Sequence, residues 1–497
     1  MLQDVEPLRH DVCMDEPRLD QRREWSGEWW LPESPEQRFG GVLTYEPGKE
    51  LSLRLIGGWR YVEPVEPFSG VHVGRGDLLR WPIIHGRAGE TPLTLVDAWV
   101  SEARGGDDDR PDGLTVGAMT LLVDLHLAAA DEQAFVSGQV TTENLNEWTR
   151  RTGFRGDRAT GLKSERLEPL EAVAGDWIVR LHTLSSYRSW NRKRNGYHVQ
   201  HWEHAVMEFE SEAPRKMEDF FEQLSSVGDL MTLSTLEPCA DITVRLYTPP
   251  VPSRYREGHP YATVPHKVDV YQYRTRTPDP EAAATIWIDF ILSQEDQPFE
   301  ELIPRWFEVR ETFRAAVDMV LGLTYLTGGY LQTRVVSAVA AAEAFHRALN
   351  PAPPISDAEF ASLREVLFEA VPDERRGWLA DRIRYNQPTL RERLVDLARR
   401  PGPFMKELVP NPEVWAKVAT RSRDGVAHFG TTGHSRYDEL HAVVEVTSAV
   451  VIFNLLAQLG ISQDRMRRAL HENRGLRWTC ELAREHFGET PAIEPTR

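Results

Sequence analysis

Residues 419–430 read A-T-R-S-R-D-G-V-A-H-F-G and fall near the end of a helix predicted to begin at residue 412. In this stretch Arg423 and His428 stand five positions apart, an Arg-x4-His pattern, and Asp424 could orient either side chain. Arg421 lies seven positions before the histidine, so a second arginine fits a looser form of the pattern. An imidazole can move a proton at neutral pH and a guanidinium can hold a phosphate. Together they are the minimum that metal-free cleavage of RNA requires.

The sequence around this stretch is helical from about residue 298 to the C-terminal end. Apolar residues recur at helical spacing in 302–320 and 335–345, and the prolines that follow Asn350 end the second of these helices. Further helices are predicted at 357–370, 374–399, 412–428 and 437–458. We therefore expect residues 298–497 to form an all-α domain, a helical bundle.

Strand patterning dominates the chain before residue 298. Leu51, Leu53 and Leu55 alternate with polar residues, which is the period of a half-buried strand. More strands are predicted at 93–100, 114–127, 134–141, 177–184, 197–209, 242–248 and 267–274, with one helix at 216–232. The predicted fold class is α+β multidomain: a flexible arm over 1–20, a β-rich region over 21–297, and the helical domain. One domain or two modules with a break near residue 160 both remain open for the β-rich region.

Composition limits the classes of protein to consider. The 497 residues carry a formal net charge of -18, which argues against a protein that coats nucleic acid but allows a local basic site. Three widely spaced cysteines indicate a reducing compartment and no thiolate zinc site. The N-terminal residues carry charges where an export signal needs an apolar core, and polar residues interrupt the apolar run 446–459. We expect a cytoplasmic protein that does not enter a membrane.

The Arg-x4-His spacing alone is not specific. It occurs three more times, at Arg80/His85, Arg254/His259 and Arg436/His441. The first pair falls in the β-rich region and the second in a proline-rich loop, so neither has a helix to present both side chains. The third pair lies at the start of a helix in the predicted helical domain. It is therefore the runner-up to Arg423 and His428.

Three other groups of residues bear on function. His198, His201 and His204 could hold a metal, but steps of three alternate between the faces of a strand, so no metal site is expected. Residues 188–195, R-S-W-N-R-K-R-N, combine cations with a tryptophan and could contact phosphates and stack a base, but the favoured prediction is a solvated loop between strands. A stripe of arginines in the helical domain could follow an RNA backbone or form a solvated helix face: Arg375, Arg376, Arg382, Arg384, Arg391, Arg393, Arg399 and Arg400.

The chain resembles the ApeA-type anti-phage proteins, which end in a HEPN ribonuclease domain. R-D-G-V-A-H at 423–428 matches the HEPN signature of Arg, four to six residues, then His. E-A-F-H-R at 343–347 and N-Q-P-T-L-R-E-R-L at 386–394 look like the helical domain of that family. G-E-W-W-L-P-E at 27–33, with F-G-G-V-L-T-Y-E-P and L-R-L-I-G after it, is similar to the β-rich domain that precedes it. Many members have Asn where this chain has Asp424.

The resemblance implies a metal-independent endoribonuclease of bacterial anti-phage defence, acting by abortive infection and cleaving tRNA. His428 would transfer a proton, Arg423 would hold the scissile phosphate, and the product would be a 2′,3′-cyclic phosphate. Arg421 and Asp424 would support them. It further implies a homodimer through the HEPN domain, no cofactor, and an N-terminal region that senses a phage component.

Two alternatives belong to other classes of protein. A non-catalytic HEPN-like protein would bind RNA or dimerise without cleaving RNA. An enzyme built on the three histidines would require a metal and lose activity in a chelator. Which of Arg421 and Arg423 is the arginine of the motif also remains open.

Overall fold

The computed structural model describes residues 17–59, 80–104, 111–156, 163–194, 196–252, 263–279, 281–326, 328–429 and 437–488, and it omits the side chains of 186–193, 196–200 and 427–429. The chain divides into two compact units. The β-rich unit comprises Met1–Thr232, Pro238–Thr285 and Ser293–Pro304, and the helical unit comprises Leu233–Glu237, Ile286–Leu292 and Arg305–Arg497. The two units agree with the predicted α+β fold class, a β-rich region followed by a helical one.

The β-rich unit begins with seven strands: β1 Arg23–Trp30, β2 Phe39–Tyr45, β3 Leu51–Ile56, β4 Arg80–Ala88, β5 Thr91–Arg104, β6 Gly113–Val123 and β7 Phe135–Thr142. It continues with α1 Leu145–Thr149, β8 Phe154–Arg155, β9 Lys163–Ser164, β10 Leu170–Ala174, β11 Trp177–Lys193, β12 Gly196–Arg215, α2 Met217–Thr235, β13 Asp241–Pro252 and β14 Thr263–Gln272. Residues 188–193 belong to β11, so the prediction of a loop over 188–195 was wrong. The alternation of apolar residues ends at Leu184, and it could not indicate how far the hairpin extends.

Twelve of these strands form one antiparallel sheet. Their order is β10-β11-β12-β7-β13-β14-β6-β3-β2-β1-β4-β5, and β5 also pairs with β6. This extra pairing closes β1–β6 into a six-stranded ring, which leaves those strands without open edges. The predicted alternation in β3 is confirmed, because Leu51, Leu53 and Leu55 are buried.

Close packing of aromatic rings fixes both parts of the β-rich unit. In the ring of strands, a Cβ atom at Gly86 would lie 2.3 Å from the buried ring of Trp29, so only glycine fits there. In the remaining strands, Phe220 of α2 packs edge to face on Trp177 of β11, with ring centroids 4.9 Å apart.

The residues just before β1 are part of the fold. Leu19 is buried, and its backbone N–H donates to the Ile242 carbonyl at 2.8 Å. The predicted arm was therefore too long, since residues 17–20 are part of the fold; residues 1–16 lie outside the described ones.

The helical unit contains the predicted helices and several more. They are α3 Phe299–Thr312, which begins in the β-rich unit, α4 Arg314–Tyr325, α5 Leu331–Ala348, α6 Asp357–Glu369, α7 Asp373–Arg382, α8 Leu390–Arg399, α9 Met405–Leu408, α10 Pro412–Phe429, α11 Tyr437–Gln458, α12 Gln463–Glu472 and α13 Arg474–Phe487. The single helix predicted at 374–399 was wrong, because it is two helices. Pro388 cannot continue a helix, and Thr389 with Glu392 forms a capping box that starts α8.

Helices α5 and α11 form the centre of the helical unit. Phe345 of α5 stacks on Phe313 with ring centroids 4.2 Å apart. Asn454 of α11 is buried and donates to the carbonyl of Leu397 at 2.9 Å, which joins α11 to α8. Among the described residues α11 is the one helix long and apolar enough to cross a membrane, but 78% of its most apolar window is buried inside the protein. Burial in the bundle accounts for its composition.

Candidate functional site

Helix α10 carries the arginines of the candidate site on its C-terminal half. Pro412 occupies its first position, and the Asn411 side chain accepts from the Val414 amide at 3.2 Å, which caps the start of the helix. Trp415, Ala419 and Ser422 are fully buried, so one face of α10 packs into the bundle. Lys417 and Arg421, on the opposite side of the helix, are exposed.

Arg423 lies half-exposed between two carboxylates. Its Nη1 donates to Asp424 Oδ1 at 2.9 Å, and its Nη2 is 3.8 Å from Glu343 Oε2 on α5. The Arg423 side chain keeps 33% of its surface exposed. The guanidinium is thus fixed on one side by acidic partners and remains open to solvent, where an anion could reach it.

Glu343 links the E-A-F-H-R stretch to helix α10. Its Oε1 accepts from Arg347 Nη2 at 2.7 Å, while Oε2 faces Arg423. In the sequence Glu343 is part of a stretch that resembles the family, and no pattern predicts a role for it at the site. The 80 positions that separate Glu343 from Arg423 hide the contact from any pattern read along the chain.

Arg421 occupies a different environment on the same helix. Its side chain is 58% exposed, and its Nη2 donates to Glu439 Oε1 at 2.9 Å near the start of α11. Both candidate arginines are therefore paired with carboxylates, Arg421 toward α11 and Arg423 toward α5.

Helix geometry relates both arginines to position 428. The backbone of His428 belongs to the last turn of α10, and its side chain lies outside the described part of the structure. At 3.6 residues per turn, positions 421 and 428 are about 20° apart around the helix axis, and positions 423 and 428 are about 140° apart. Position 421 therefore shares a side of α10 with position 428, whereas position 423 does not.

A second arginine–histidine cluster in the helical unit is buried. His346 of α5 and Arg393 of α8 are both almost inaccessible to solvent. Arg393 Nη1 lies 3.1 Å from His346 Nδ1, and His346 Nε2 lies 3.2 Å from Asp396 Oδ2. A guanidinium can only donate, so Nδ1 accepts and the imidazole is neutral with its proton on Nε2, which donates to Asp396. This cluster joins E-A-F-H-R to N-Q-P-T-L-R-E-R-L.

The protonation of His346 agrees with its surroundings. Burial is the main cause that lowers the pKa of His346, Asp396 opposes the shift, and Arg393 adds to it. The residue lies beyond the reach of a substrate in this structure. The hydrogen bonds of His346 connect α5 to α8.

The runner-up pair is only partly described. Arg436 lies outside the described residues, and His441 lies in the first turns of α11. His441 Nδ1 is 3.9 Å from Glu445 Oε1, and its ring centroid is 5.1 Å from that of Trp478 on α13. Glu445 Oε1 is also 3.8 Å from Arg334 Nη2 on α5. His441 is therefore a partly enclosed imidazole next to an ion pair.

The described residues give no support to the other two Arg-x4-His pairs as catalytic sites. Arg254 and His259 lie outside the described residues. Arg80 and His85 lie on β4, where an odd separation puts side chains on opposite faces. His85 Nε2 is 2.7 Å from the Leu127 carbonyl, and its ring stacks on His126 with centroids 4.5 Å apart. His85 therefore connects the loop after β6 to the sheet.

The histidine triplet lies on β12, as the predicted strand required. The side chain of His198 lies outside the described part, and His201 and His204 are three positions apart along the strand. Within the described ranges, no group of three His, Cys, Asp or Glu side chains is arranged to hold a metal ion.

The arginine stripe is not a uniform surface. Arg393 is buried, so it neither follows an RNA backbone nor belongs to a solvated helix face, and both interpretations are wrong for this residue. The spacing of the arginines does not indicate which face α8 buries. Arg399 pairs with Glu413, and Arg400 Nε donates to Asp396 Oδ2 at 2.8 Å. The other seven arginines of the stripe are exposed.

Two family models match the chain and together cover most of it. The model described as ApeA N-terminal domain 1 matches residues 24–306, and the model described as Apea-like HEPN matches residues 336–465. The second match contains Glu343, Arg421, Arg423 and position 428. No curated protein and no solved structure matches the chain significantly.

Proposed function

Because the chain belongs to the ApeA family of anti-phage HEPN proteins, we propose that it is a metal-independent endoribonuclease whose site contains Arg423 and His428. The observation that carries the proposal is the half-exposed Arg423 guanidinium, held by Asp424 and Glu343 on the helix that also contains position 428. All four positions fall inside the HEPN match. The ordered, accessible cation is what a phosphate ligand requires.

The proposed reaction needs only these side chains and the RNA itself. His428 takes the proton from a ribose 2′-hydroxyl, and the 2′-oxygen attacks the adjacent phosphorus. The bond from phosphorus to the 5′-oxygen breaks, and a proton returns to that oxygen. The products are a 2′,3′-cyclic phosphate and a 5′-hydroxyl. Arg423 neutralises the negative charge that accumulates on the phosphorane in the transition state.

Asp424 and Glu343 act as positioning residues in this proposal. Two carboxylates near one guanidinium hold its plane, and they also reduce its net charge when no substrate is bound. Binding of a phosphate would then require Arg423 to exchange part of its pairing with Glu343, whose distance of 3.8 Å is long for a salt bridge.

A homodimer would reconcile the positions of Arg423 and His428. The two positions are about 140° apart around α10, so one helix does not aim both at the same phosphate. A twofold axis that brings two copies of the α10 end together would let Arg423 of one subunit meet His428 of the other. Arg421, on the side of position 428, would then support the histidine.

The proposed substrate is RNA, with tRNA as the specific case, and the β-rich unit is proposed to sense a phage component that activates cleavage. The proposal places this activity in the bacterial cytoplasm, where cleavage of tRNA would halt growth of the infected cell. The 2′-hydroxyl is the nucleophile, so a 2′-deoxy substitution at the cut site would prevent cleavage.

The pairing of both arginines with carboxylates favours one rival proposal, in which the helical unit binds RNA or dimerises without catalysis. The two proposals differ in one assay. Purified protein is incubated with total bacterial tRNA in EDTA, with and without lysate of phage-infected cells. Fragments that end in a cyclic phosphate support the nuclease. Retention of intact tRNA by the protein in both conditions supports the binding protein.

A further inference from the structure

Helix α7 and the residues after it expose two aromatic rings. Trp378 is 62% exposed and Tyr385 is 66% exposed, although aromatic side chains of this size are normally buried to a large extent. Helix α7 has no buried residue at all. The segment thus contributes little to the core of the helical unit, and its surface residues need another explanation.

A guanidinium lies over each of the two rings. The Arg382 guanidinium carbon is 5.7 Å from the centroid of Trp378, and that of Arg384 is 5.2 Å from the centroid of Tyr385. Contacts of this kind orient a ring while most of its surface stays open to solvent. We name the four residues Trp378, Arg382, Arg384 and Tyr385 the α7 platform.

Two hydrogen bonds join this segment to α6 and to Ile355, which lies just before α6. Arg376 Nε donates to the Phe368 carbonyl at 3.0 Å, and Asn386 Nδ2 donates to the Ile355 carbonyl at 2.7 Å. One contact anchors α7, and the other anchors the residue after Tyr385. The two hydrogen bonds restrain the backbone on either side of the platform.

The charge of this segment is opposite to that of the chain as a whole. Residues 371–387, which contain the platform, hold four arginines against three acidic residues, a net charge of +1, whereas the chain carries -18. The adjacent residues 357–370 contain one arginine against four acidic residues. Arg382 and Arg384 beside the two exposed aromatic rings match the phosphates and bases of a single-stranded nucleic acid.

We propose that the α7 platform binds unpaired nucleotides of the RNA substrate. Trp378 and Tyr385 stack on successive bases, and Arg382 and Arg384 contact the phosphates between them. The inference deepens the proposed ribonuclease function, on which it rests for the identity of the nucleic acid. It gives the enzyme a preference for loops and single strands, because bases inside a duplex are not free to stack on side chains.

The test uses a probe that cannot be cut. The full-length protein is titrated in EDTA into a fluorescein-labelled 12-nucleotide 2′-O-methyl RNA, which lacks the 2′-hydroxyl, and anisotropy gives the Kd. The double variant Trp378→Ala/Tyr385→Ala should bind at least about tenfold more weakly. Tyr330→Ala removes an equally prominent ring, 82% exposed at the start of α5, and should bind as the wild type does.

Two further readouts separate stacking from charge. The same probe annealed to its complement should bind more weakly than the single strand. Arg382→Gln/Arg384→Gln should reduce the magnitude of the slope of log K against log salt by about 1.4, at about 0.7 per phosphate contact. An unchanged slope would show that these arginines do not contact phosphates and would overturn that part of the proposal.

Two outcomes overturn the platform as an RNA surface. One is wild-type affinity of the Trp378→Ala/Tyr385→Ala variant. The other is a change of that variant from dimer to monomer in sedimentation, which would assign the rings to contact with a second copy. Because the probe resists cleavage, a protein that binds it through the platform yet cuts no RNA would contradict the proposed catalysis and leave the platform intact.

Discussion

The helical unit contains two clusters of arginine, histidine and carboxylate that differ in their access to solvent. In the buried cluster, both ring nitrogens of His346 form hydrogen bonds, Nδ1 with Arg393 and Nε2 with Asp396. In the candidate site, Arg423 keeps a third of its side-chain surface exposed beside Asp424. The same residue types thus connect two helices in one place and present a cation to solvent in the other.

The difference shows that residue identity alone does not mark a catalytic site. A buried and neutral His346 cannot exchange protons with a substrate, whereas Arg421 and Arg423 on α10 are accessible to solvent. We therefore expect substitutions in the buried cluster to change stability and substitutions at the candidate site to change activity.

The largest effect is expected for Arg423→Ala. Loss of a cation that stabilises the transition state typically lowers a rate by about 10²- to 10³-fold. The melting temperature should change by less than about 2 °C, because exposed ion pairs contribute little to stability. Cleavage of tRNA in EDTA and thermal unfolding measure the two quantities. A melting temperature that falls with activity would assign Arg423 to the structure instead.

The buried cluster should respond in the opposite way. Arg393→Ala leaves the His346 imidazole without one partner and creates a cavity, so we expect a loss of about 2–4 kcal/mol in the free energy of unfolding. Urea denaturation of the helical unit measures it. Arg391→Ala, at an exposed position two residues earlier, is the matched control and should change the stability by less than about 0.5 kcal/mol.

A smaller effect on activity is expected for Glu343→Gln. The amide retains the shape of the side chain but removes the charge that faces Arg423, so the guanidinium loses an orienting partner. We expect kcat to fall by roughly tenfold with little change in stability. Glu439→Gln, which removes the corresponding partner of Arg421, should have the weaker effect if Arg423 is the arginine of the site. The reverse order would favour Arg421.

The smallest effect is a dependence of stability on pH. The folded state lowers the pKa of His346 below its unfolded value near 6.5, so the unfolded chain binds the proton more readily. The contribution of His346 is complete above that unfolded value and is lost as pH falls through the lower folded pKa. The difference in melting temperature between wild type and His346→Gln should therefore shrink from pH 8 to pH 5. A constant difference would contradict the neutral, buried imidazole.

Local patterns predicted the helices that carry the site. Apolar spacing and Pro412 predicted α10 to within one residue, and the bounds of α11 were predicted correctly. Local patterns do not predict contacts between residues that are far apart in the sequence. Glu343 and Arg423 lie on α5 and α10, and only the folded bundle brings them together. The same holds for His346 and Arg393, since no spacing along the chain distinguishes a buried arginine from the exposed ones near it.

The most direct test of the central claim compares two histidines. Wild type, His428→Ala and His441→Ala are incubated with total tRNA in EDTA, with lysate of infected cells as the source of activator, and the 3′ ends of the fragments are mapped. We expect fragments with 2′,3′-cyclic phosphate ends from wild type and His441→Ala, and none from His428→Ala. Cleavage that survives His428→Ala and disappears in His441→Ala would move the active site to the start of α11.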